Sequence, residues 1–192
     1  MKCKRFVSLA LAAVLALCLA GCSAGKAPAS SASSAAAKDY AQVLHDARPD
    51  EFNEYYTILS NDRDNAGNFA ASYGYADEMD ATAVASQGEM LLSMLNLTAD
   101  DVTDFALSVS LMNTKSYAIA IVKPTEGKTD TVKNGMQTYL DSQRSNMQTY
   151  LPDQYEIAKA GEVTTLSTGE VVLVCCEGSD DVLSNIQTAL GA

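Results

Sequence analysis

A chain of 192 residues with 24 acidic against 13 basic side chains carries a net charge of −11. That balance argues against nucleic acid as a partner, whose affinity comes mainly from Lys and Arg neutralising phosphates. It also argues against a folded body lying flat on an anionic membrane, which basic segments would favour.

The first 21 residues have the layout of a secretory signal peptide, with Lys2, Lys4 and Arg5 ahead of an apolar stretch from Phe6 to Leu17. The apolar run to Ala20 is roughly 15 residues, short of the roughly 20 needed to span a bilayer. Leu19-Ala20-Gly21-Cys22 resembles the bacterial lipobox, in which the cysteine is diacylated and becomes the new N-terminus. An ordinary signal peptide cut at Ala20 or Gly21 would not need a cysteine there. Cys22 is therefore the expected site of lipid attachment, and two acyl chains suffice for stable anchoring at about 0.8 kcal/mol per buried CH₂. Cleavage removes three basic residues and no acid, so ten basic and 24 acidic residues remain, a net charge of −14. The expected location is the extracytoplasmic side of the cell membrane.

Residues 22–37 read as a tether. Twelve of the fifteen residues after Cys22 are Ala or Ser, which leaves nothing to bury against the cost of ordering them. Chain statistics give this stretch a root-mean-square span of about 20 Å. Residues 38–192 are long enough for one domain with a genuine core.

That domain is predicted to open with a helix from Asp39 to Ala47 and to be interrupted at Pro49. Tyr55-Tyr56-Thr57-Ile58-Leu59 reads as a strand or a helix end. Asn61 to Asp80, rich in Asn, Asp and Gly, reads as loop. Helical spacing returns from Ala83 to Leu95, and Thr98 to Asp101 resembles a capping box. Phe105 to Met112 and Tyr117 to Val122 alternate as the strands of a hairpin about Asn113-Thr114-Lys115. The longest helix is predicted from about Asp130 to Tyr150, with Val132, Met136, Leu140, Gln143, Met147 and Leu151 on one face and Pro152 as its end. Glu162 to Leu166 and Val171 to Cys176 form a second hairpin, and Ser179 is expected to cap a last helix. The expected class is α+β: a four-stranded antiparallel sheet from two strand-strand-helix units, with helices mainly on one face and an N-terminal helical or irregular portion.

FALSVSLMNTKSYAIAIVKP, the helix leading to YLPDQYEIAKAGEV, and TGEVVLVCCEGSDDVLSNI resemble domain-of-unknown-function family 4358 over about residues 95–190. The most specific pieces are Ser110-x-Met112-Asn113 and Tyr150-Leu151-Pro152-x-Gln154-Tyr155. The resemblance implies a bacterial lipoprotein with an N-terminal anchor and supplies no catalytic residue.

Little catalytic chemistry is legible. Counting from Asp62, the acidic loop lacks two key ligands of a calcium hand, with Ala66 and Tyr73 at positions five and twelve. Only a weak site on Asp62, Asp64 and Asp77 is conceivable. His45, the only histidine, has no nucleophile motif nearby. Cys175 and Cys176 should point to opposite faces of a strand as buried thiols. Tyr55, Tyr56, Tyr73 and Tyr75 are candidates for a binding surface. No catalytic residue, cofactor or metal site is assigned. The expected function is a membrane-anchored, non-enzymatic binding or interaction module for an envelope protein or small ligand. The alternatives are a carboxylate-based envelope hydrolase, with or without a divalent ion at Asp62, and a structural lipoprotein.

Overall fold

The computed structural model describes residues 38–192; the signal segment, Cys22 and the tether lie outside them. In chain order the elements are α1 (Tyr40–Ala47), α2 (Asp50–Tyr55), β1 (Ile58–Asn61), β2 (Phe69–Ser72), α3 (Ala81–Met94), β3 (Val102–Val109), β4 (Ala118–Pro124), α4 (Thr129–Met147), α5 (Pro152–Ala160), β5 (Glu162–Thr165), β6 (Val171–Cys175) and α6 (Ser179–Leu190). The strands form one open sheet in the order β2-β1-β3-β4-β6-β5, every neighbouring pair antiparallel.

The α+β class with an antiparallel sheet holds, but the sheet has six strands where four were expected. Of the two extra strands, β1 grows from the end of the Tyr55–Leu59 patch that reads as a strand or a helix end, and β2 comes from the segment that reads as loop. β2 is Phe-Ala-Ala-Ser, four residues with no β-branched side chain, set among turn residues. The acidic stretch is the β1–β2 turn: the Asp62 carboxylate accepts from the backbone amides of Asp64 and Asn65 at 2.9 and 3.1 Å. Gly67 adopts φ +87° in that turn.

Helices also cover both faces of the sheet, not mainly one. β4 shows why. Tyr117, Ile119 and Ile121 belong to a core under α1 and α6, whereas Ala118, Ala120 and Val122 belong to a second core with α3, α4 and α5. All six are buried. The two strand-strand-helix units send α4 and α6 to opposite faces, so the strands β4 and β6 between them are apolar on both sides. Cys175 and Cys176 follow the same alternation, one thiol in each core, both free. Burial pushes them up to about 11 and about 12, which makes them inert.

Two boundaries moved for local reasons. Pro152 does not merely follow α4; it opens α5, where its missing N–H costs nothing. Ser179 is the first helical residue of α6, and left-handed Gly178 holds the cap position. The predicted capping box is formed, with the Asp101 carboxylate accepting from the Thr98 amide and hydroxyl at 3.0 and 2.7 Å. Gly135, costly by about 1 kcal/mol for helix propensity, has a packing reason. A Cβ there would lie 2.7 Å from the Leu95 carbonyl oxygen and 3.0 Å from that of Asn96. Gly135→Ala is therefore expected to lower stability by about 1–3 kcal/mol despite its better propensity, measurable as a lower urea midpoint.

Candidate functional site

The ends of β3 and β6 and the start of β4 lie at one end of the sheet, as the antiparallel registers require. Around that end gather α2, the turn after β2, the β3–β4 loop and the start of α5. Between them is a cleft of about 440 Å³, lined by residues that include Phe52, Tyr55, Tyr56, Tyr75, Met112, Tyr117, Gln154 and Glu177. Its size lies within the range of small-ligand sites.

One wall is a fixed aromatic cluster. The Tyr56 and Tyr117 rings stack with centroids 3.7 Å apart and 11° between planes. Phe52 meets Tyr117 edge-on at 5.1 Å. Behind this wall lies Arg48, 4% exposed and without a carboxylate partner among the described residues. Its guanidinium donates to Asn53 Oδ1 (2.6 Å), Ser108 Oγ (2.6 Å), the Tyr117 hydroxyl (2.7 Å) and the Tyr56 carbonyl (2.7 Å). These four bonds tie α2, the start of β1, β3 and β4 to one charged centre. Burial pushes the Tyr117 phenol up to about 12, with Arg48 and Ser108 opposing the rise. Tyr117 therefore acts as a neutral hydrogen-bonding group, not a base.

The opposite wall is built by the two segments that carry the family resemblance. The Met112 amide donates to Ser110 Oγ at 3.2 Å, which bends the loop leaving β3. Gln154 Oε1 accepts from the Ser116 amide at 2.8 Å, and the Gln154 carbonyl accepts from the Ser116 hydroxyl at 2.7 Å. The β3–β4 loop is thus fastened to α5, and Met112 stays 56% exposed on the cleft.

Three of the four singled-out tyrosines meet here: Tyr55 and Tyr75, 60% and 50% exposed, and half-buried Tyr56. Tyr73 does not. It stacks on His45 at 3.9 Å, and its hydroxyl donates to Gln42 Oε1. His45 Nδ1 lies 2.8 Å from the Asp46 carboxylate on the surface of α1. Asp62 is occupied by its own turn, while Asp77 sits in the short 3-10 turn after Tyr75. Among the described residues no group of three or more His, Cys, Asp or Glu is placed to hold a metal ion. Cys22 lies outside the described residues.

Sequence reasoning missed Arg48, although a signal was present. Tyr40, Leu44 and Arg48 recur at spacings of four, so the arginine continues the buried stripe of α1. A larger hollow, about 900 Å³ between α3 and the β1–β3 side of the sheet, is lined by Arg63 and Asp104 among others. These two approach to 3.8 Å, and burial raises the Asp104 carboxyl. Its aromatic lining is the Phe69–Phe105 pair and includes no tyrosine, so the smaller cleft, where tyrosines with a polar handle converge, is the better candidate.

No curated protein and no solved structure matches the chain. A family model described as Domain of unknown function (DUF4358) matches residues 76–176. That match begins ahead of the expected start near Leu95 and stops short of residue 190. It takes in α3 and the Met112–Gln154 wall and leaves out the helix carrying Phe52 and Tyr55. It spans more than half of the 192 residues, and the chain belongs to the DUF4358 family.

Proposed function

We propose that the protein is a lipid-anchored, extracytoplasmic binding module that recognises an envelope component through the aromatic cleft, without turnover. The supporting observation is where the cleft sits relative to the point at which the chain enters the domain. At the entry, the Lys38 ammonium donates to the Leu190 carbonyl at the end of α6, and the Tyr40 hydroxyl donates to Glu170 just before β6 at 2.8 Å. The cleft lies beyond the other ends of the same elements, after β6 and before α6. β6, five residues long, spans about 17 Å, and the cleft lies at the end of it away from the entry. A tether leading from lipid on Cys22 to Lys38 would join the domain away from the cleft and leave the cleft unobstructed by its point of attachment.

The test is capture from detergent-solubilised envelope by the full chain, against a Tyr55→Ala/Tyr75→Ala variant. Stoichiometric capture of one component that the variant loses is expected. Conversion of that component to a product, or capture indifferent to both tyrosines, sinks the reading. Mass spectrometry of the mature N-terminus should find diacylated Cys22; an unmodified Met1 or an unlipidated Cys22 removes the anchor.

A further inference from the structure

The exposed apolar surface at the cleft pole is wider than the cleft itself. Among the described residues, six large hydrophobic side chains are exposed: Tyr55, Tyr75, Met90, Leu111, Met112 and Tyr150. All but Met90 belong to the connections at this one end of the sheet. Leu111 adjoins Met112 in the β3–β4 loop, and Tyr150 lies between α4 and α5, just ahead of Gln154. Neither Leu111 nor Tyr150 lines the cleft, so a small ligand held in it would leave both uncovered. Exposed Tyr, Leu and Met side chains gathered at one end of the sheet have the composition of a protein-docking surface.

The surrounding charge specifies the partner. Glu51 and Glu177 line the cleft, and Asp50, Glu54, Asp77 and Glu78 belong to the same α2 and post-Tyr75 turn that supply its lining tyrosines. All six are exposed, and among the described residues none pairs with a Lys or Arg. The lining itself contributes one cation, Lys115. The charge of Arg48 is spent on four acceptors behind the aromatic wall. Tyrosine faces ringed by carboxylates suit a planar cation that stacks on a ring and pairs at its edge, which is what arginine offers.

Resting on the proposal that this cleft is the recognition site, we infer that its partner is an arginine-bearing, basic segment of an extracytoplasmic polypeptide, laid across Tyr55 and Tyr75 with its cations toward Glu51 and Glu177. Small amines and neutral ligands do not meet both features, because they neither cover Leu111 and Tyr150 nor use the charge.

The experiment is titration calorimetry on the full-length lipoprotein in detergent micelles. The probes are a blocked octapeptide of alternating arginine and glycine, and the same peptide with citrulline replacing arginine. The arginine peptide should bind saturably and about tenfold or more tighter than the citrulline form. Glu51→Gln/Glu177→Gln and Tyr55→Ala/Tyr75→Ala should each weaken it by about fivefold or more, with unchanged thermal unfolding, since all four side chains are exposed. Asp62→Asn/Asp64→Asn, at the β1–β2 turn, should stay within about twofold.

Absence of binding, equal binding of the citrulline peptide, or no loss in either cleft variant overturns the inference. An equal loss in the Asp62/Asp64 variant overturns it as well, since that reports only diffuse charge. If the peptide fails while envelope capture still requires Tyr55 and Tyr75, the basic chemistry falls and the binding module stands.

Discussion

Arg48→Ala is expected to cost about 2–5 kcal/mol of folding stability, since each buried acceptor left without a donor costs about 1–3 kcal/mol. The truncation leaves Asn53 Oδ1 and the Tyr56 carbonyl without a donor, and it opens a void behind the Tyr56–Tyr117 stack. Ser108 and the Tyr117 hydroxyl, 3.2 Å apart, can satisfy each other, so the loss is not the sum of four bonds. An opposing term is real: the guanidinium is buried with no carboxylate beside it, and alanine relieves that desolvation. The orphaned acceptors outweigh this relief, because a single cation supplies four of the surrounding groups. Arg48→Lys keeps the charge but not the planar fork, so it should recover only part of the loss. Urea denaturation read by circular dichroism measures the order wild type, Lys, Ala. A loss below about 1 kcal/mol for Arg48→Ala, the value of an ordinary net hydrogen bond, would show that Arg48 does not organise this wall.

Arg48 also marks the limit of what the sequence made legible. The long periodic segments were readable because burial alone shapes them. Val132, Met136, Leu140 and Met147 line the core side of α4, and the hairpin alternations fall on β3, β4 and β6. Thr98 and Asp101 announced their turn because both partners of the cap lie only three positions apart. β2 was not legible. Only Phe69 of its four residues carries a strand preference, and β1 supplies the register that makes them a strand. α2 and α5, six and nine residues long, are too short for periodicity to distinguish them from turns. The same limit hid the cleft. Tyr55, Tyr75, Met112 and Gln154 are separated by up to about a hundred positions, and only the strand order brings them to one pole. The tyrosines suggested themselves by type and the family segments by resemblance; their meeting at Ser116 and Gln154 is a tertiary fact.

Ala120→Glu is expected to abolish folding, since it places an unpaired carboxylate between Leu107 and Leu173 at the centre of the sheet. The expected cost is about 4 kcal/mol or more, a large part of the 5–15 kcal/mol that holds a typical domain together. The size of the effect distinguishes two ways of reading β4. On a sheet with helices on one face, Tyr117, Ile119 and Ile121 would fill the core and Ala118 and Ala120 would meet water, where a glutamate is harmless. Here Ala118 and Ala120 are fully buried in the same cluster as Met136, Tyr139 and Leu140 of α4. Their smallness makes room for those larger side chains; it does not signal exposure. A glutamate at 120 has no cation nearby in that cluster and no route to solvent. It must either bury its charge, take up a proton at a cost in stability, or force α4 off the sheet. Loss of the cooperative urea transition, with the helical far-ultraviolet signal reduced, is the expected observation. A cooperative transition near the wild-type midpoint would mean that the α4 face of β4 is open to water and the two-sided core is wrong.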